Sequence, residues 1–195
     1  DVFSDLVRAP LARLDDIRGM DGVLQADARI VKLGRPEIEG MSQPASILFV
    51  SLPDTGGLNR LHLREGRLPD PGSPREVLVS QDFAAAHGLR QGSQLTVVMN
   101  GTRRVLTVTG IALSPEFIYA LGPDEMMPDP RRFGVAWLPR ANLEATCDLR
   151  GAFSNLILRL APGTSEARVI AQVDRILAPY GGGGATGRFE QTSHA

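Results

Sequence analysis

The chain has 195 residues, with hydrophobic side chains making up 43% of it, so it holds enough apolar material for one domain or two small ones. Lys and Arg number 21 against 22 Asp and Glu, and this balance argues against a nucleic-acid surface, which needs a basic face. A single cysteine, Cys147, excludes an internal disulfide framework and a multi-cysteine zinc site. No run approaches the roughly 18 apolar residues of a membrane-spanning helix, and no signal peptide is visible. The chain starts at Asp1 and stops at Ala195, and both ends read as the cut ends of an excised domain.

Ser4 or Asp5 is placed to cap a first helix. Val7, Leu11, Leu14 and Ile17 follow as an apolar stripe; Pro10 sits inside it, so either the helix starts near Ala9 or it bends there, and Gly19 ends it. Val23 to Leu33 reads as one strand, and Ala45 to Leu52 as a short strand buried on both faces and stopped by Pro53. Asp54 to Gly57 is a turn, and Leu58 to Leu63 mixes leucines with Asn59, Arg60 and His62.

The stretch Glu65 to Pro115 is the most orderly part of the chain. Pro69, Pro71, Gly72 and Pro74 make a loop, followed by a strand at Glu76 to Val79. Ser80 caps a two-turn helix over Phe83 to His87, and Gly88 ends it. Leu95 to Met99 and Arg103 to Gly110 are strands joined by Asn100-Gly101, the strongest hairpin signal in the sequence. Beyond it, Phe133 to Leu138 is a strand, and Pro139 opens a helix reaching about Asp148. Phe153 to Leu160 is another strand. Thr164 caps the best helix, whose face is Val169, Ile170, Val173, Ile176 and Leu177. The tail after Gly181 either adds a strand around Ala185 to Phe189 or stays loose.

Elements on both sides of the orderly block suit an α+β layer of helices on a sheet. The expected architecture is a discontinuous α+β subdomain, residues 1–53 and 129–195, with a β-rich subdomain, residues 54–128, inserted in it.

Reactive chemistry is sparse. His62, His87 and His194 lack metal-ligand spacing, and His87 falls at a helix C-terminus, where a cation is favoured. Cys147 has no base partner indicated, and Ser51 and Ser114 lie in no nucleophile elbow. The glycine run 181–184 lacks the Lys-Ser/Thr of a phosphate loop. Asp124, Glu125 and Asp129 lack calcium-loop spacing. No catalytic residue, metal site or cofactor is expected. The segment Glu116 to Arg132 stands out because Phe117, Ile118, Tyr119, Met126 and Met127 are large apolar side chains among prolines. Two readings stand for them: filling the seam between subdomains, or contacting a partner or apolar substrate.

The runs EGRLPDPGSPREVLVSQDFAAAHGLRQGSQLTV and NGTRRVLTVTGIALSPEFIYAL resemble the extracytoplasmic core domain of bacterial ABC-transporter permeases of the MacB/FtsX-like superfamily. Gly66-Arg67, Pro69, Glu76-Val77, Ser80, Gly88-Leu89, Gly92 and Gly110-Ile111 carry the resemblance. RRFGVAWLPR and DLRGAFSNLILRL extend it over nearly the whole chain. These residues are structural glycines, caps and turns. The resemblance implies a porter-like α+β subdomain with a sabre-like β-rich insert, set between two transmembrane helices on the outer face of a bacterial inner membrane. The helix from Ser4 to Arg18 would then continue into a membrane span. The implied partners are the permease's own transmembrane helices, a cytoplasmic ATPase, a second permease in a dimer, and a periplasmic adaptor or lipoprotein. The implied work is export or handling of an envelope lipid, lipoprotein or peptide. Two other classes remain open: a secreted or periplasmic small-ligand binding module with its site between the two subdomains, in a pocket lined by Phe117, Tyr119 and Trp137, and a hydrolase with a dispersed site.

Overall fold

The structure is a computed structural model that describes residues 2–41, 43–53, 57–118, 120, 122 and 127–187. In chain order these form β1 (Val2–Pro10), α1 (Ala12–Arg18), β2 (Val23–Arg29), β3 (Val31–Pro36), β4 (Ser46–Ser51) and β5 (His62–Gly66). Then come β6 (Glu76–Ser80), α2 (Gln81–Ala86), β7 (Gln94–Met99), β8 (Thr102–Leu113) and β9 (Phe133–Leu138). The last elements are α3 (Arg140–Cys147), β10 (Ala152–Leu160), α4 (Glu166–Leu177), a 3₁₀ turn (Ala178–Tyr180) and β11 (Ala185–Gly187). The fold is α+β.

The strands make two sheets. One is four-stranded, in the order β11-β1-β10-β2, all antiparallel. Helices α1 and α4 cover one face of it, and Leu14, Ile17, Val169, Val173 and Leu177 meet Phe153, Leu156 and Leu158 there. The other sheet runs β5-β8-β6-β9-β4-β3-β7, and β7 pairs again with β8. Six of its strands therefore close into a barrel, with β5 appended along the end of β8. The barrel core holds Ile47, Phe49, Val79, Val97, Leu106 and Val108, and Phe83 of α2 and Leu143 of α3 plug into it.

Local chemistry explains most of these elements. Asn100 and Gly101 both take positive φ, 48° and 73°, which matches the twist of the β7–β8 hairpin. Gly134 lies so close under the Phe83 ring that an added Cβ would sit 2.3 Å from it. Ser80 does occupy the N-cap position of α2, but its Oγ accepts a hydrogen bond from Val135 N across the sheet instead. The cap of α4 is Ser165, one residue past Thr164, with its Oγ accepting from Arg168 N.

Three expectations change. Residues 4–10 are strand, not helix, so the run from Ser4 to Arg18 does not form one rod leading to a membrane. Pro10 removes a backbone donor and disfavours a helical residue before it, and helix begins only at Ala12. The strand was hard to see because its register jumps between Asp5 and Ala9, which breaks the alternation of buried positions. Val7, counted in the helical stripe, is 67% exposed on that strand. Second, Val23 to Leu33 is two strands in two sheets, parted at the fully buried Ile30. Third, β3, β4 and β9 lie outside residues 54–128 in sequence yet are walls of the barrel. A division at 53 and 129 would cut one hydrogen-bonded ring; the sheet pairings group residues 30–151 as the barrel lobe and residues 2–29 with 152–187 as the sheet lobe.

Candidate functional site

The two lobes meet where the chain passes between them, at Ile30 and again at Gly151-Ala152. These crossings are neighbours, because β2 and β10 are paired antiparallel with Arg29 opposite Asn155. Ser154 Oγ accepts from Val31 N at 2.9 Å and donates to Val31 O at 3.1 Å, lacing the two crossings together. Arg140, the first residue of α3, donates to the carbonyls of Ala28 and Ala152 at 2.8 and 2.7 Å, one on each crossing strand.

Beside these crossings lies a buried polar chain. The Arg29 guanidinium grips Glu116 through two hydrogen bonds of 2.6 and 2.7 Å, with the side chains 9% and 3% exposed. Its Nε donates to Asn155 Oδ1 at 2.8 Å, and Asn155 Nδ2 donates to Asp5 at 2.7 Å. From the barrel lobe, Asn59 Nδ2 donates to Glu116 at 2.9 Å. Leu58 N donates to the Asp27 carboxylate close by. Burial of an ion pair is tolerable only when the remaining polar valences are filled in this way.

A cleft of about 710 Å³ opens along the outer edge of β2. Leu14 and Arg18 of α1 form one wall, and Leu52, Leu61 and Trp137 face them. The Arg18 guanidinium bonds Ala26 O at 3.3 Å, so that edge carbonyl is occupied. Among the described residues no group of three or more His, Cys, Asp or Glu is placed to hold a metal ion. Burial pushes the Cys147 thiol up, against the weaker pull of Lys32 and Arg104, and away from thiolate reactivity. His87 rests on the Phe83 ring at 4.4 Å and bonds the Arg131 carbonyl, so it is engaged in packing; His62 is exposed on β5.

The apolar segment after β8 divides. Phe117 turns inward, 6.3 Å from the Trp137 ring, onto the barrel's outer cluster of Val50, Leu78, Ala112, Phe133 and Val135. Ile118 and Met127 are 62% and 77% exposed. Tyr119 and Met126 lie outside the described residues, as do Asp124, Glu125 and His194. The sequence reading missed Arg29, Glu116, Asn155 and Arg140. The available signal was a charge or amide inside a strand otherwise built to be buried, as in Asn155 of FSNLILRL, since such groups are buried only with partners.

A family profile described as the MacB-like periplasmic core domain matches residues 4–176. Among solved structures, the extracellular domain of the noncanonic ABC-type transporter YknZ from Gram-positive bacteria is 14% identical. It superposes with a TM-score of 0.58 over 92% of this chain and 94% of that one. The periplasmic region of MacB from Actinobacillus actinomycetemcomitans is 8% identical, with a TM-score of 0.54 over 95% of this chain and 87% of that one. At these identities the likeness is one of fold. A search of curated proteins found no match.

Proposed function

This chain belongs to the MacB-like periplasmic core domain family, and we propose that it is the extracytoplasmic domain of an ABC-type permease that turns cytoplasmic ATP hydrolysis into movement at an envelope substrate. The family match over residues 4–176 carries this reading. The substrate class proposed is a lipid, lipoprotein or peptide. The partners proposed are the permease's own transmembrane helices, a cytoplasmic ATPase, a second permease protomer, and a periplasmic adaptor or lipoprotein. A bacterial inner membrane, with this domain on its outer face, is the proposed location. No described helix is long and apolar enough to cross a membrane, so the anchoring spans are assigned to the rest of the permease.

Two lobes joined through two adjacent, cross-bonded strands suit a mechanical relay. Within it, the sheet lobe is our porter-like subdomain and the barrel lobe our sabre-like one. The contact surface proposed is the segment holding Phe117, Ile118, Tyr119, Met126 and Met127, with Phe117 as its inward anchor and Ile118 and Met127 as exposed apolar side chains. The test is protease treatment of spheroplasts expressing the natural gene product, followed by co-purification with its ATPase. Cleavage of this domain from outside intact spheroplasts, with an ATPase retained, is expected. Protection in intact spheroplasts overturns the reading.

The cleft of about 710 Å³ with Trp137 in its wall supports a second reading, a small-ligand binding module. A thermal-shift screen against amino acids, sugars and short peptides tests it. A reproducible rise in Tm that is abolished by Trp137→Ala favours it, and a flat screen removes it.

A further inference from the structure

We infer that the Arg29–Glu116 pair is a conformational lock that sets the angle between the two lobes, and that its contribution is to register rather than to stability. Each partner is fixed by its own lobe. Arg29 is held to the sheet lobe by Asn155, which is itself tied to Asp5 on β1. Glu116 is held to the barrel lobe by Asn59, and its backbone N donates to Ser114 Oγ at 3.2 Å. Between them runs a two-pronged guanidinium–carboxylate contact, which is planar and tolerates little rotation.

The backbone alone does not set this angle. It joins the lobes through two adjacent strands, a connection that bends easily across its width. Ser154 and Arg140 hold those strands to each other and to α3 at the crossings themselves. The Arg29–Glu116 pair instead reaches from the end of β2 to a residue three positions beyond β8, so it splints the connection. Removing two charges from water is costly, and a buried pair of this kind returns little net stability compared with apolar side chains of similar size. Its best-attested use is to select one arrangement among several of similar energy. The lock also ties that connection to the segment beginning at Glu116, whose next residues are the inward Phe117 and the exposed Ile118. A change of lobe angle therefore moves that segment, and a load on the segment acts on the connection.

The test uses the 195-residue chain with Cys147→Ser and spin labels at Ala85→Cys on α2 and Arg175→Cys on α4, one on each lobe and both exposed. The parent is expected to give one narrow distance. Glu116→Gln leaves Arg29 buried without a full charge partner, and Tm falls by about 10 °C. The paired change Arg29→Met with Glu116→Leu restores most of that Tm while the distance distribution broadens about twofold or splits. A paired variant that keeps the narrow parental distance overturns the lock. A paired variant that does not regain its Tm overturns the claim that the pair adds register rather than stability. An undiminished Tm in Glu116→Gln shows that the pair is not formed. These outcomes are read on the chain alone, so failure of the lock leaves the transporter reading standing, and the reverse.

Discussion

The two lobes solve the same problem in opposite ways. The barrel lobe closes six strands on themselves, so its ring leaves no open edge, and its core is sealed by Phe83 and Leu143 from two helices. The sheet lobe is open, with β2 and β11 as edges, and is gathered from the two ends of the described chain. Its β2 edge is guarded by Arg18 and Arg140, which occupy the carbonyls of Ala26 and Ala28. Charged side chains on an edge discourage pairing with another chain. The barrel strands thus pair in a closed ring, whereas the sheet lobe brings together strands from both ends of the described chain.

Core truncation puts this contrast under the greatest strain. Phe49→Ala in the barrel and Phe153→Ala in the sheet lobe each remove a fully buried ring and should cost about 3–5 kcal/mol in urea unfolding. Hydrogen exchange separates them. Phe153→Ala is expected to lower protection in β1, β2 and β10 while β6 to β9 stay protected. Equal loss in both lobes would show that they unfold as one unit and end the distinction.

A smaller effect should follow from overfilling the barrel. Gly134→Ala drives a methyl into the Phe83 ring and should cost about 1–3 kcal/mol, measured as a lowered urea midpoint. No loss would mean that α2 gives way and does not seal the barrel. Smaller still, Ser165→Ala removes the side-chain cap of α4 and should cost about 1 kcal/mol, seen first in exchange of amides in the sheet lobe.

The smallest effect is a pH dependence where β6 of the barrel ring begins. Arg67 follows β5, and its hydrogen bonds with Glu76 at the start of β6, with help from Asp70 N, hold the Glu76 carboxyl below the usual glutamate range. Because the folded value is lowered, the clasp's contribution is complete above the unfolded glutamate value of about 4.3 and is lost as pH falls through the lower folded one. Arg67 is 55% exposed, so water and salt screen much of it. Tm followed from pH 6 downward should fall less steeply at the acid end in Glu76→Gln than in the parent. Identical slopes would remove the clasp from the account.

What could be read in advance was local. Gly88 and Asn100-Gly101 marked the end of α2 and the β7–β8 hairpin, because turns act over a few neighbours; the order β6-α2-β7-β8 followed, with β8 reaching three residues further than expected. The apolar face of α4 was as plain, since Val169, Val173 and Leu177 repeat at helical spacing and are all buried. The site was legible only in part. Phe117 was marked as either seam or contact, and it packs on Trp137. The polar chain beneath it was invisible, since Arg29 and Glu116 are 87 positions apart.

The sequence by itself therefore determined the α+β character, the hairpin, the apolar face of α4 and the resemblance that the family match bears out. The tertiary structure alone decided that β1 is a strand, that Val23 to Leu33 is divided at Ile30, and that strands from both sides of residues 54–128 close one barrel. The reason is the same in each case. Turns and the apolar spacing of a helix are settled by neighbours a few bonds away, whereas strand pairing is settled by partners the chain brings in from far off. A bulged strand or a bend between two sheets has no periodic mark of its own.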